Sequence, residues 1–394
     1  MPWKEICTVE LREALVSAML AGEVGVADLC RRAGVSRKTA YKWRERYQAL
    51  GRTGLADRSR ARLTQPDAVS DDVLDAILST RLEHPTWGVK KILPYLSRMD
   101  PGLELPCLST ASEILRRAGL TSPRKKARRR PGPHNKSEEA STPNATWTID
   151  FKGQFRLGCR SLCYPLTVAD RFSRYLLCVD AKPGTQLCGV VTSMRRLFAV
   201  YGLPQRIKSD NGSPFAGSGL ARLSRLSVWF MSLGIEVEHI TPGKPGENGR
   251  HERMHRTLKA ETACPPAWSM RGQQRRFNGF REEFNEDRPH EAIGQQPPAS
   301  VYVPSSRMYL GDREEQDPYP GHWERRRVRT DGTIRWRGEH RYLSEPLSGR
   351  LVGLVETDED FWEVHSCQTL IGVLDGRDGR VRVRDPLDAS ATLD

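Results

Sequence analysis

The chain has 394 residues, with 62 lysines and arginines against 49 aspartates and glutamates, a formal charge of +13. That length exceeds one small core and points to about two to four domains, and the positive excess favours a polyanionic partner, nucleic acid ahead of an acidic membrane. No apolar run reaches bilayer-spanning length and the amino terminus lacks a signal-peptide pattern, which argues against a membrane protein and for a cytoplasmic one. The cysteines, scattered from Cys7 to Cys367, show no zinc-finger spacing, and Cys159 and Cys163 read as reduced, half-buried thiols on a strand-like stretch.

The first 120 or so residues read as helices. Val26, Leu29, Cys30 and Ala33 fall at helical spacing, Gly34 breaks the pattern, and Ser36 caps a second helix running through Tyr47. This is a helix-turn-helix, assigned to residues 1–62. Its second helix carries Arg37, Lys38, Lys42, Arg44 and Arg46, so it is expected to lie in a DNA major groove, with some side chains on phosphates and others on bases. A second helical block, residues 63–121, groups Trp87, Ile92, Leu93 and Leu96, then Ile114, Leu115 and Ala118, with Ser109 as a cap and Pro94 as an interruption. It reads as another helix-turn-helix or winged module.

Residues 122–143 contain almost nothing apolar and cannot pack a core, so they read as a linker. Arg124, Lys125, Lys126, Arg128, Arg129 and Arg130 suit it to follow a DNA backbone or minor groove.

From Thr146 the period changes to strands. WTIDFKGQF, SLCYPLTVADRFS and YLLCVDAK predict an antiparallel meander. There follow a helix from about Gly189 to Tyr201, the strand QRIKSD, a helix from about Leu220 to Leu233, the strand EVEHIT, and a helix starting near Asn248. This order predicts an α/β layer arrangement with a mixed sheet, over residues 144–306 including a helical extension and a proline-rich strap. Short alternating segments over residues 318–385, such as TIRWRG and LVGLVET, predict a small β-barrel. The fold class is thus multidomain: all-α modules, an α/β core and a C-terminal β-barrel.

Asp150 ends the strand WTID and Asp210 ends IKSD, placing two carboxylates at the sheet edge where open α/β folds hold ligands. Glu252 lies early in the helix after the Gly243–Gly246 loop and can return to that edge. Three oxygen ligands of this kind suit Mg²⁺, with Mn²⁺ as a substitute, and two such ions activate an attacking oxygen and stabilise a leaving one. Arg256 and Lys259 share a helical face with Glu252 and are expected to hold DNA phosphates, with Asn248 orienting the substrate. Asp170 and Asp180 read as turn caps.

The segments WTIDF, SDNGSPF, PGKPGENGRHERMHRTLKAE and FNEDRPHEAIGQQPPASVY, in this order, resemble the DDE transposases of bacterial insertion sequences, which are similar to retroviral integrases. The resemblance covers most of the chain. It implies a ribonuclease-H-like integrase core in which Asp150, Asp210 and Glu252 match the three catalytic, metal-binding acids. It also implies that the amino-terminal modules bind terminal inverted repeats, that the core exposes a 3′ hydroxyl and directs it against target DNA, and that a homodimer or larger assembly forms on double-stranded DNA. The span from Asp210 to Glu252 is longer than the family usually shows, with the excess expected in AGSGLARLS. Glu247 would shorten that span but lies in a glycine and proline loop. His251-Glu252-Arg253-Met254-His255 also fits the H-E-x-x-H zinc-protease pattern, on a helix polar on nearly every face. A regulator with the same DNA-binding modules and an inactive core is the other alternative.

Overall fold

The computed structural model describes residues 7–58, 69–121, 140–217, 219–241, 249–312, 317–358 and 360–382. They fall into two compact units, Met1–Ala68 and Val69–Asp394.

The first unit holds α1 (Thr8–Ala21), α2 (Val26–Ala33) and α3 (Arg37–Leu50). Gly34 takes the left-handed conformation between α2 and α3 at φ 65°, which a residue with a Cβ adopts only at a cost. The Ser36 side chain then accepts from Thr39 N at 3.2 Å, capping α3. Leu15, Val16, Met19, Cys30, Ala40, Trp43 and Leu55 form its interior.

In the second unit, α4 (Asp71–Glu83), α5 (Val89–Met99) and α6 (Leu108–Arg117) pack around Ile77, Trp87, Ile92, Ala111 and Leu115. Pro94 lies inside α5 without ending it, because Ile92, Leu93 and Leu96 on either side are buried in this cluster. The cap of α6 is Cys107 rather than Ser109, two residues earlier than the spacing indicates.

The central sheet is built from β1 (Thr146–Phe151), β2 (Phe155–Arg156), β3 (Leu162–Asp170) and β4 (Leu176–Lys182), with α7 (Leu187–Tyr201), β5 (Arg206–Ser209), α8 (Arg225–Ser232) and β6 (Glu236–His239) following. Strands run in the order β2-β3-β1-β5-β6, with β4 also on β3. β1 is antiparallel to β3 and parallel to β5. Trp147 and Ile149 of β1 point into a core with Val190, Met194 and Phe198 of α7 and Leu226 and Phe230 of α8. The other face is covered by α9 (Gly249–Thr262) and α10 (Met270–Glu286) through Met254, Leu258, Phe277 and Phe280. A sheet between two helical layers buries both of its faces.

The expected helix from Leu220 starts later. Ser224 caps α8 in a box with Ser227, and Ala221 and Arg222 before it sit at positive φ. Leu220 and Ala221 pack instead on the C-terminal core. That core, built on Ile334, Trp336, Leu347, Val352, Val364 and Leu374, also takes in Leu223, Val228 and Met231.

The C-terminal strands are β7 (Glu324–Arg327), β8 (Thr333–Trp336), β9 (Glu339–Tyr342), β10 (Leu351–Asp358), β11 (Phe361–Ser366), β12 (Thr369–Asp375) and β13 (Val381–Arg382). They form an open antiparallel sheet in the order β13-β12-β11-β10-β7 and a separate β8-β9 hairpin. The expected barrel is not closed. The apolar face that a barrel would bury within itself is here covered partly by α8.

The α4–α6 block is pinned to the core. Trp87 Nε1 donates to Glu283 at 3.1 Å, Arg98 to the Asp287 carbonyl at 2.8 Å, and Arg288 to Thr86 Oγ1 at 3.0 Å. Residues 288–312 form the strap, with Tyr302 stacked on Tyr175 at 4.3 Å and bonded to Asn144 at 2.9 Å. Among the described residues, no helix is long and apolar enough to cross a membrane.

Candidate functional site

Alternation along β1 sends Trp147 and Ile149 to one face, and Thr148 and Asp150 to the face beneath α9. Across the ladder, Asp150 pairs with Thr167 of β3. On the other side, Ile149 pairs with Ser209 of β5 in parallel. Asp150 follows Ile149 within β1 and Asp210 follows Ser209 just past the end of β5, so each acid comes directly after the last paired step of two parallel neighbours. Asp210 Oδ1 accepts from Gly212 N at 3.1 Å, a turn that holds its carboxylate at the strand end.

Helix α9 buries His251, Met254, His255 and Leu258, a stripe at helical spacing, and exposes Glu252, Arg253, Arg256 and Lys259. Glu252 lies in the first turn, where the helix dipole favours a carboxylate. The two histidines meet the polar part of the sheet. Thr167 Oγ1 lies 2.6 Å from His251 Nε2, 2.7 Å from His255 Nε2 and 3.1 Å from the Asp150 carbonyl oxygen. His251 Nδ1 lies 3.0 Å from Thr148 Oγ1, and His255 Nδ1 is 3.9 Å from Asp150 Oδ2. The Asp150 side chain is 14% exposed.

Burial lowers the His251 pKa to about 4. For His255, burial first, then His251 and Lys152 nearby, lower it to about 2, so both rings are neutral at neutral pH. Ligand atoms of Asp150, His251 and His255 lie within 4.8 Å of one another, and this is the one group of three or more able to hold a metal ion among the described residues. The carboxylates of Asp150, Asp210 and Glu252 are not gathered into such a group.

Beside α9 runs a cleft of about 810 Å³, reaching Thr148 and His251 and lined by Lys91, Arg171, Arg174, Arg253, Arg256 and Arg288. Burial, and next the Arg288 guanidinium, lower the Lys91 pKa to about 8. The other sequence candidates fall elsewhere. Arg37, Lys38 and Lys42 are exposed on α3, Lys42 with its Nζ over Trp43 at 4.5 Å, while Arg44 lies over Tyr41 at 4.8 Å and Arg46 over Trp43 at 5.1 Å. Arg124, Lys125, Lys126, Arg128, Arg129, Arg130, Asn248 and the alternative acid Glu247 lie outside the described residues. Asp170 caps its turn, accepting from Ser173 N at 2.8 Å. Asp180 does not: it is buried in β4 and bonded to Ser193 and, at 2.7 Å, to Arg196 of α7.

Sequence reasoning passes over Thr148 and Thr167, though strand alternation marks both as facing with Asp150. It also passes over Lys91, Arg171, Arg174 and Arg288, which converge only through tertiary packing.

Comparison with known proteins agrees with this architecture. Two models described as integrase core domain match residues 140–245 and 233–298, a helix-turn-helix domain matches 11–62, and a homeodomain-like domain matches 39–115. The chain therefore carries an integrase core domain preceded by helix-turn-helix domains, and it is similar to proteins of insertion elements and to retroviral Pol polyproteins. Among its relatives is an uncharacterised 39.2 kDa protein of insertion element IS476 from Xanthomonas euvesicatoria, 29% identical over 45% of this chain and 49% of that protein. Another is an uncharacterised 31.7 kDa protein of insertion element IS407 from Burkholderia multivorans, 26% identical over 47% of this chain and 65% of that one. A third is the Pol polyprotein of Radiation murine leukemia virus, 28% identical over 30% of this chain and 19% of the polyprotein. The chain thus spans less than two thirds of the length of each of these relatives.

Proposed function

We propose that this chain is the transposase of a bacterial insertion sequence, which binds the element's terminal inverted repeats, cleaves at the 3′ ends and joins them to target DNA. The observation that supports the reading is the parallel pairing of β1 and β5, whose last paired step, Ile149 with Ser209, comes immediately before Asp150 and Asp210 in the two segments. Glu252, in the first turn of α9, is the third acid.

The donor chemistry of the three acids suits a hard divalent cation, although they are not drawn into one cluster in this structure. Asp150, Asp210 and Glu252 offer carboxylate oxygens, while three of the four imidazole nitrogens of His251 and His255 are engaged by threonine hydroxyls. Two Mg²⁺ or Mn²⁺ ions held there would supply Lewis-acid stabilisation of phosphodiester displacement. The same engagement of both Nε2 atoms disfavours the zinc-protease reading of the helix, since a ligand nitrogen must offer a free lone pair.

The surrounding residues bind and orient the DNA. Arg37, Lys38 and Lys42 on the exposed face of α3 enter a major groove, with Arg44 and Arg46 braced on aromatic rings behind them. The basic linker, Lys259 and the cleft beside α9, Arg256 included, take phosphates. Two element ends must be processed together, so a homodimer or larger assembly on DNA is the working form.

The test is cleavage and joining of labelled duplexes taken from the DNA flanking the chain's own reading frame, with Mg²⁺ or Mn²⁺. Asp150→Asn, Asp210→Asn and Glu252→Gln are each expected to abolish both steps. Undiminished activity in all three refutes the mechanism, and binding without cleavage by the parent chain supports a regulator instead.

A further inference from the structure

We infer that Arg288, the buried arginine of the segment FNEDRPHEAIG, is a positioning residue that seats α4–α6 on the integrase core in one orientation, and that this seat decides which phosphodiester reaches Asp150. The inference rests on the proposed cleavage and on α4–α6 as a DNA-binding module.

The seat is built around a charge with almost no access to water. Arg288 is 2% exposed and meets three elements at once. It donates to Glu261 of α9 at 2.9 Å and to Thr86, in the turn before α5, at 3.0 Å, and it lies 4.0 Å from Glu283 of α10. The Thr86 hydroxyl itself donates to Glu261. The guanidinium is also within reach of a ring on each side, 5.9 Å from the centre of Trp87 and 5.7 Å from that of Phe284.

An ionic cluster of this kind contributes direction more than strength. The cost of desolvating the charges offsets much of their attraction, whereas a guanidinium with fixed donors accepts its partners in few geometries. A purely apolar contact would let α4–α6 slide along α9 and α10, and the Arg288 fork opposes that. Away from the seat, α6 turns Ser109, Thr110, Ser112, Arg116 and Arg117 to solvent, the two arginines both paired with Glu113. Such a face suits phosphates and base edges. Lys91 of α5 stands in the cleft that reaches Thr148, two residues before Asp150 on β1. A duplex held by α6 therefore meets the cleft at a spacing that the seat sets. Successive phosphates of one strand are only ~3.4 Å apart along the axis, so a small shift of the seat brings a neighbouring phosphodiester into place.

Arg288 also lines that cleft, so two variants of the full chain are needed to separate the seat from a phosphate contact. Arg288→Met removes the anchor together with a cleft cation. Thr86→Val combined with Arg98→Met weakens the seat from the helical side, removing the Thr86 hydroxyl and the bond from Arg98 to the Asp287 carbonyl, and leaves the cleft's cations in place.

Three readouts apply: amide hydrogen exchange over residues 84–99, the position of the cut in a labelled duplex carrying the element end, and kcat and KM for that cut. Both variants are expected to exchange faster over residues 84–99 while β1 and β3 keep the parent's rates, and to spread cutting over neighbouring phosphodiesters. A misplacement of about 1 Å should lower kcat by up to about 100-fold with KM little changed. Faster exchange with cutting still confined to the parent's position overturns the inference, as does unchanged exchange in both variants. Faster exchange in β1 and β3 as well would make the cluster part of the general core and likewise overturns it. So does spread cutting in Arg288→Met alone, which would make Arg288 a phosphate ligand of the cleft. If the parent binds the duplex and cuts nowhere, the transposase reading fails, and the exchange rates still decide the anchor.

Discussion

His290 offers a stability test that separates burial from chemistry. It lies near the start of the strap after α10, with its ring 4.7 Å from that of Phe284 and its Nε2 buried without a hydrogen-bond partner among the described residues. Burial, then Lys91, Arg288 and Arg174 around it, lower its pKa to about 3. The unfolded chain takes up a proton near pH 6.5, as an ordinary histidine does, and the folded chain does not until about pH 3. Stability present above pH 6.5 is therefore lost as the pH falls through that window. A neutral ring with a folded pKa near 3 costs ~2 kcal/mol at pH 5 and close to nothing at pH 7.5. His290→Phe keeps the ring against Phe284 and removes the titration. Urea unfolding of parent and variant at pH 7.5, 6.0 and 5.0 is expected to show the variant gaining ~2 kcal/mol over the parent between the ends of that range. Protonation of the carboxylates cancels in the difference. A constant gap between the two proteins from pH 7.5 to 5.0 would refute the description of His290 as buried, neutral and surrounded by cations.

Three further outcomes follow from packing and charge. Trp87→Ala removes a fully buried indole and its bond to Glu283, and should destabilise the α4–α6 block by ~3–5 kcal/mol, read by denaturant unfolding and by new protease cuts within residues 69–121. Lys91→Ala combined with Arg253→Ala should lower the slope of log affinity for duplex DNA against log salt by about 2, since each lost phosphate contact removes ~0.9; fluorescence anisotropy across a salt series measures it, and an unchanged slope excludes the cleft from DNA binding. Gly34→Ala should cost ~1 kcal/mol in thermal unfolding of the first unit, because its φ of 65° suits glycine.

What the sequence reveals depends on whether a feature is local. Gly34 and Ser36 specify the turn of the first helix-turn-helix by backbone freedom and capping, and the structure has both where the letters place them. WTID and IKSD are legible as strands because their alternation is local. That they become parallel neighbours is not, because it depends on the crossover through α7. Asp180 shows the same limit: its position near a strand end suggests a turn cap, but its partner Arg196 lies on the next helix. The barrel expectation fails for a related reason. Alternating segments specify an apolar face without specifying what covers it, and here α8 supplies part of that cover. The cleft beside α9 is the least legible feature, since its cations come from α5, the β3–β4 turn, α9 and the strap.

The H-E-x-x-H letters have a physical origin that requires no zinc. A helix laid on this sheet must present residues at i and i+4 to whatever β1 and β3 display beneath it. Here that surface is polar, with Thr148, Thr167 and the Asp150 carboxylate. Two leucines at 251 and 255 would leave the hydroxyls with only backbone carbonyls and bring apolar atoms against the carboxylate. Charged residues there would have to be desolvated, at several kcal/mol for each ion. Neutral imidazoles meet both conditions, with one donor and one acceptor in each ring. The intervening Glu252 is free to serve the opposite requirement, an exposed carboxylate at the helix start. The same five letters thus divide between a buried pair hydrogen-bonded to threonine hydroxyls and a solvent-facing acid.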